Sequence, residues 1–190
     1  AEFDFEDFDP GRVTTATYDG TVWFAPIQGG GDLMVYRTDL LEAAGVTPPT
    51  TLEELLVAVE ALHDPDNGIY VFALRGQRGS GSNVWRWMPY FRGMGGEWFN
   101  DDGTPAFNSD AAVQATETYL KLFEYSPPGT QTGSWDESTG AFNSGQVALI
   151  IESAPLGGMA VNPDNSQVSD VVAFGTPPAP LTGGGYAHGF

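Results

Sequence analysis

Four short stretches of this sequence gather residues able to do chemistry, each at the predicted end of a strand: Gln28–Asp32, Arg75–Trp87, Trp135-Asp136 and Glu152–Pro155. Ligands of open α/β sheets bind in the crevice outside the carboxyl ends of the strands. Aromatic rings beside amides, carboxylates and guanidinium groups suit a sugar or polyol, which offers apolar C–H faces to stack and hydroxyls that need donors and acceptors. Trp135 is the sharpest of these residues. It follows a glycine-rich stretch at a predicted helix start, beside Asp136, where a helix cap or a polar-ligand contact would use the pair; we take the ligand use. Trp85 and Trp87 share one helix, and ordinary packing accounts for at least one of them. Arg75 and Arg78 have the charge to hold an anion between them, but balancing nearby carboxylates is the commoner role in so acidic a chain.

Other chemistries lack their residues. The serine elbow G-x-S-x-G is absent, and the glycines around Ser80 do not fit it. Gly76-Gln77-Arg78-Gly79-Ser80-Gly81 orders its glycines wrongly for a dinucleotide fingerprint, and the single lysine, Lys121, follows no Walker glycine. His63 and His188 are far apart with no i, i+4 partner, which argues against zinc. Asp64–Gly68 resembles the start of a calcium loop without its glycine spacing or closing Glu, so it reads as a turn. A glycosidase carboxylate pair could be drawn from the 25 acids, but no spacing selects one. No metal or cofactor is expected.

Composition narrows the partners. Acids outnumber bases 25 to 7, a formal charge of −18, which opposes binding to nucleic acid phosphates or anionic membrane surfaces. A salty habitat and an ordinary acidic secreted protein both fit that balance. Hydrophobic residues make up 41% of the chain, enough for a buried core. No apolar run approaches the ~18 residues of a membrane helix. The absence of cysteine excludes disulfides, thiolate metal sites and cysteine nucleophiles, but not secretion. The chain opens on Ala1 and closes inside a strand-like run, so it is expected to be a stretch of a longer polypeptide.

Alternating strands and helices must position the loops. Residues 1–11 form an acidic, aromatic surface segment, Thr21–Ala25 a strand, Gln28–Asp32 a flexible loop and Leu33–Tyr36 a buried strand. Thr38 or Asp39 caps a short helix closed by Gly45. Thr51 and Glu54 make a capping box for a helix whose Leu52, Leu55, Leu56, Val59 and Leu62 form one apolar face. Ile69–Leu74 is a strand covered on both faces, followed by an aromatic helix over 84–94 and a hairpin over 97–107. Asn108 or Ser109 caps the next helix, with Val113, Thr116, Leu120 and Phe123 inward. A short helix ending at Ser144-Gly145, strands at Val147–Ile151 and Val171–Phe174, and a strand starting in Gly183–Phe190 complete an α/β fold with a mostly parallel sheet.

Three ordered segments resemble one family, the extracellular solute-binding proteins of carbohydrate ABC importers (the maltose-binding-like group). Tyr36–Leu62, YRTDLLEAAGVTPPTTLEELLVAVEAL, is similar to the family's strand, short helix, Pro-Pro-Lys-Thr-Trp turn and long helix, with Thr and Leu in place of Lys and Trp. Ala141–Ser153, AFNSGQVALIIES, resembles its Phe-x-x-Gly-x-x-Ala-hydrophobic run, and VVAFGTPPAP with GGGYAHGF resembles the stretch that returns toward the hinge. The resemblance implies a type II periplasmic-binding-protein lobe, incomplete, with residues 33–182 as the C-terminal-lobe domain, 1–32 as a surface segment with a hinge-proximal strand and loop, and 183–190 as the returning strand.

Within that family ALRGQRGSGSNVWRW is most similar to polyol and monosaccharide binders, which implies ligand roles for Arg75, Asn83 and Trp85. It also implies roles for Trp135 with Asp136, for Glu152, and for Gly184, Gly185 and Tyr186. In many relatives the loop after Pro-Ile carries an aromatic and an acid. Here it reads Gln28-Gly29-Gly30-Gly31-Asp32, so either Asp32 substitutes from a shifted position, with Gln28 beside it, or the preferred sugar differs. The implied function is capture of a sugar or polyol by lobe closure and delivery to a permease, by a monomeric, extracellular or periplasmic, lipid-anchored protein that does not transform its ligand. The alternatives are a carbohydrate-active enzyme domain of glycoside hydrolase type and a bare interaction module.

Overall fold

A computed structural model of the 190-residue chain describes residues 7–26, 28–79, 81–181 and 186–188. The chain divides into two compact units, residues 1–31 with 185–190, and residues 32–184.

The first unit holds helix α1 (Pro10–Thr15), whose first turn donates Arg12 N–H to the Asp9 carboxylate at 3.2 Å. Strands β1 (Thr17–Tyr18) and β2 (Thr21–Val22) pair across Asp19 and Gly20, both at positive φ (49° and 71°), the backbone that tight hairpins require. The strand expected over Thr21–Ala25 is therefore cut to two residues, and Trp23 beyond it is exposed. Strand β3 (Gln28–Gly30) pairs antiparallel with β8 (Tyr186–His188). Part of the expected flexible loop is thus a strand: glycines that pack poorly alone are ordered by ladder hydrogen bonds to a distant segment.

The second unit is a four-stranded sheet flanked by helices. Strands β4 (Asp32–Arg37), β5 (Tyr70–Ala73), β6 (Val147–Ser153) and β7 (Val172–Gly175) lie in the order β5-β6-β4-β7. The α/β class holds, but the mostly parallel sheet does not: β5–β6 is parallel, while β4 runs antiparallel to both β6 and β7. Alternation of strands and helices sets crossover connections between sequential elements; it does not reveal that β6 and β7 settle on either side of β4, which points the other way.

All seven residues of β6 are buried, as befits a strand covered on both faces. Successive side chains divide between the two faces: Met34, Phe72, Leu149 and Ile151 join one apolar cluster, Val35, Ala73, Val147 and Ile150 the other. Helices α3 (Leu52–Leu62), α4 (Ser82–Gly93) and α5 (Asp110–Phe123) build the first cluster, and α6 (Trp135–Asn143) and α7 (Pro155–Ala160) the second.

The capping box that opens α3 is present, with Glu54 N–H donating to Thr51 Oγ1 at 3.1 Å and Thr51 N–H to Glu54 Oε2 at 3.3 Å. Helix α2 (Thr38–Ala44) closes at Gly45 (φ 67°). Its start differs from expectation: Thr38 is its first helical residue and donates its hydroxyl to Val171 O, while Asp39 is held by Arg37. Helix α5 is capped by Ser109 but turns a different face inward. Ala115, Tyr119 and Leu122 are buried, whereas Val113 and Leu120 are more than half exposed. Small alanines allow close approach to α4, and the Tyr119 hydroxyl finds a buried acceptor, so size and hydrogen bonding override apolar count.

Leu149→Ala should cost about 2–5 kcal/mol of stability, and Thr51→Ala about 1 kcal/mol. Urea denaturation monitored by circular dichroism checks both, and a Leu149 variant no weaker than the Thr51 variant would misplace the core.

Candidate functional site

At one edge of the sheet β5 and β6 end and the antiparallel β4 begins. Asp32, the first residue of β4, pairs with Ser153, the last of β6, and Leu33 pairs with Glu152. Arg75 lies two residues beyond β5, and Arg86 projects from α4. Arg75 donates Nε–H to Glu152 Oε2 at 2.7 Å, with Nη2 2.6 Å from the same oxygen. Arg86 Nη1 is 3.0 Å from Asp32 Oδ1 and 3.2 Å from Glu152 Oε1. Glu152 Oε1 also accepts Ser153 N–H at 2.6 Å. The four side chains are between 1% and 7% exposed, so the cluster is a buried, formally neutral set of two cations and two anions.

Burial is expensive for ions and is tolerated when each charge is paired and hydrogen-bonded. Here burial prevails at Asp32, whose carboxyl is raised above its ordinary value despite Arg86 beside it, with the Glu152 charge adding to the rise. Burial likewise pushes the Tyr90 and Tyr119 hydroxyls upward, so both stay neutral. The Tyr119 hydroxyl donates to Arg75 O at 2.8 Å and fixes the loop as it leaves the sheet.

The sequence feature that aligns the next wall is Gly76. Its N–H donates to Thr130 O and Gly133 O, each at 3.1 Å. A Cβ there would lie 2.3 Å from Gln131 O, so glycine alone permits this approach. The contact ties the loop after β5 to the segment that opens α6. Helix α6 starts at Trp135, with Ser134 N–H and hydroxyl both donating to Glu137 Oε2, at 2.8 and 2.7 Å. The indole then sits against Arg75, whose Cζ is 4.9 Å from the ring centroid.

Thus the structure brings together Asp32, Arg75, Glu152 and Trp135 of the expected site, but commits Arg75 to Glu152 and both carboxylates to Arg86. Asn83, in the first turn of α4, lies instead on a neighbouring cleft of about 810 Å³, with Gln77 and Arg78 on its polar side and Tyr119, Leu120 and Phe123 on its apolar side. Trp135 is not among that cleft's lining residues, although the segment leading into α6 contributes Gln131 and Thr132 to it. Asp136 is exposed and faces a separate hollow with Thr139, Asn143 and Gln167. It does not share a face with Trp135, because successive residues of a helix diverge by about 100°, and Glu137, not Asp136, serves the helix start.

Trp85 is 38% exposed, while Trp87 stacks on Phe91 at 4.8 Å and donates its indole N–H to Thr116. Gln28 and Tyr186 belong to the β3–β8 pair, and Gly184 and Gly185 lie outside the described residues. Arg86 was not anticipated; its signal was a guanidinium between two tryptophans in a chain with only 7 bases. Among the described residues no group of three or more His, Cys, Asp or Glu is placed to hold a metal ion, and no helix is long and apolar enough to cross a membrane.

A paired-charge cluster, an indole and an amide-lined cleft offer stacking and hydrogen bonding. The family model for bacterial extracellular solute-binding proteins matches residues 3–190, and the chain belongs to that non-catalytic family. A mannitol-binding protein of Pseudomonas aeruginosa is 28% identical over 185 residues, 96% of this chain and 42% of its own length. A probable amino-acid ABC transporter periplasmic-binding protein of Sinorhizobium fredii is 30% identical over 168 residues, 86% of this chain and 38% of its own. The crystal structure of an ABC transporter solute-binding protein from Agrobacterium radiobacter in complex with ribitol superposes with a TM-score of 0.82 at 32% identity, covering 92% of this chain and 44% of that one. The chain therefore spans less than half the length of these relatives.

Glu152→Gln leaves two buried guanidinium groups with one carboxylate and should cost about 3–5 kcal/mol in urea denaturation, whereas Asp136→Asn should change stability by less than about 0.5 kcal/mol. Because the folded carboxyl of Asp32 titrates above its value in the unfolded chain, the folded state binds the extra proton as pH falls toward 3.8, and this group's contribution to stability rises on acidification. The stability of the wild type relative to Asp32→Asn should therefore grow from pH 7 to pH 4; a difference that shrinks would contradict the raised value.

Proposed function

We propose that this chain is one lobe's worth of the substrate-binding component of an ABC importer, and that the intact protein captures a sugar or polyol by closing two lobes and hands it to membrane permease subunits. The observation that carries the reading is Trp135 on the buried Arg75–Glu152 pair: an indole held at the sheet edge offers a stacking wall for the C–H face of a hydroxylated ligand. Asn83, in the first turn of α4, presents an amide on the neighbouring cleft rather than on this wall, and Trp85 of the same helix is 38% exposed. The mannitol- and ribitol-binding relatives support a polyol over an oligosaccharide. Closure of two jaws about a hinge is the usual way such proteins enclose a ligand. An extracellular or periplasmic position follows from the family, and a lipid anchor on the full-length protein belongs to the same proposal.

The neutral charge cluster bears on the ligand's class. A zwitterionic amino acid would need a free cation and a free anion: in the cluster each buried arginine already has a carboxylate, and the neighbouring cleft offers Arg78 but no acid among its described lining residues. Titration calorimetry of the full-length protein should give saturable heat with D-mannitol or ribitol and none with a panel of amino acids. Trp135→Ala should weaken polyol binding about tenfold, the loss of roughly 1.4 kcal/mol expected for a stacked ring. Binding of an amino acid alone, or release of a product from an offered glycoside, would overturn the proposal.

A further inference from the structure

We propose that Arg75 is a positioning residue for Trp135, not a donor to the ligand; the inference rests on the reading of Trp135 as a stacking wall. Two of the guanidinium's three nitrogens are spent on one oxygen of Glu152, at 2.7 and 2.6 Å, and the residue is 6% exposed. Its backbone is pinned from the other side by the Tyr119 hydroxyl. The guanidinium is therefore a fixed plate, and its Cζ lies 4.9 Å from the centre of the Trp135 ring.

The backbone of Trp135 has its own restraints. Its carbonyl accepts hydroxyl hydrogen bonds from Ser138 at 3.1 Å and Thr139 at 2.8 Å, and the Ser134–Glu137 bonds set the helix start. These hold the main chain and leave the indole's two side-chain torsions open. What selects one orientation is the cation against the ring, together with the partial packing of Trp135 on the second apolar cluster. A planar, delocalised cation can stack on an aromatic face and still make hydrogen bonds at its edge; an ammonium is a point charge and cannot do both. Glu152 thus orients Arg75, and Arg75 orients the ring that meets the ligand.

The test uses the full-length protein labelled with 5-fluorotryptophan, the Trp135 signal being identified by its loss in Trp135→Phe. Arg75→Lys keeps a cation for Glu152 but removes the plate. The Trp135 fluorine signal should shift or broaden without ligand while the signals of Trp85, Trp87 and Trp98 hold, and D-mannitol affinity should fall about tenfold. In a Trp135→Ala background, which has no ring to position, the same Arg75→Lys change should cost less than about twofold, because coupled residues are not additive. An unmoved Trp135 signal, or an undiminished loss in the Trp135→Ala background, overturns the proposal, the latter because Arg75 would then touch the ligand itself. If Arg75→Lys unfolds the protein, Trp135→Ala decides: the Arg75 Nε–H resonance should move when the ring current is removed, and its failure to move overturns the contact. Absence of any polyol binding by the wild type would defeat the functional reading and leave the fluorine result to judge the positioning role.

Discussion

The site depends on one electrostatic constraint: two arginines and two carboxylates buried together where β5 and β6 end and β4 begins. Each charge would be prohibitively costly alone in so dry a place, and the set persists because every member has an opposite partner within 3.2 Å. The pairing reaches across elements far apart in sequence, joining the start of β4, the loop after β5, helix α4 and the end of β6. It fixes the loop that carries Gly76, and through that loop the start of α6. The sheet edge is therefore rigid before any ligand arrives, which a stacking wall requires.

This constraint also accounts for where the sequence was legible and where it was not. Local rules located the α3 capping box, the Gly45 stop, the strand at the core of β6 and the helix start at Trp135, because each is decided by neighbours within four residues. Strand direction was not legible, since the placement of β4 between β6 and β7 is settled by packing among segments more than a hundred residues apart. The inward face of α5 was misread for a related reason. Counting apolar residues favoured Leu120 over Tyr119, but only Tyr119 can both fill space and donate to Arg75 O.

The candidate site divides along the same line. The reading of residue types at predicted strand ends, taken together with the family resemblance, picked out Asp32, Arg75, Glu152 and Trp135, which do converge. It could not tell a group that faces a ligand from one that supports its neighbour, because both need the same polar atoms. Glu152 illustrates the point. A carboxylate at the end of a buried strand looks like a ligand contact until both its oxygens are found occupied, one by Arg75, the other by Arg86 and Ser153 N–H. Asp136 faces a separate hollow for a simpler geometric reason, the rotation between successive helical residues, and Arg86 escaped notice because its partners lie on other elements.

In this account the polar network is scaffolding and the aromatic surface is what a ligand meets. A crystal structure of the full-length protein with bound polyol tests that division most directly, through the fate of the Arg75–Glu152 pair. The account predicts that Glu152 stays within hydrogen-bonding distance of Arg75 and that the ligand's carbon chain lies against the Trp135 ring. A complex in which Glu152 or Asp32 has left its arginine to bind the ligand's hydroxyls, with Trp135 out of contact, would contradict it.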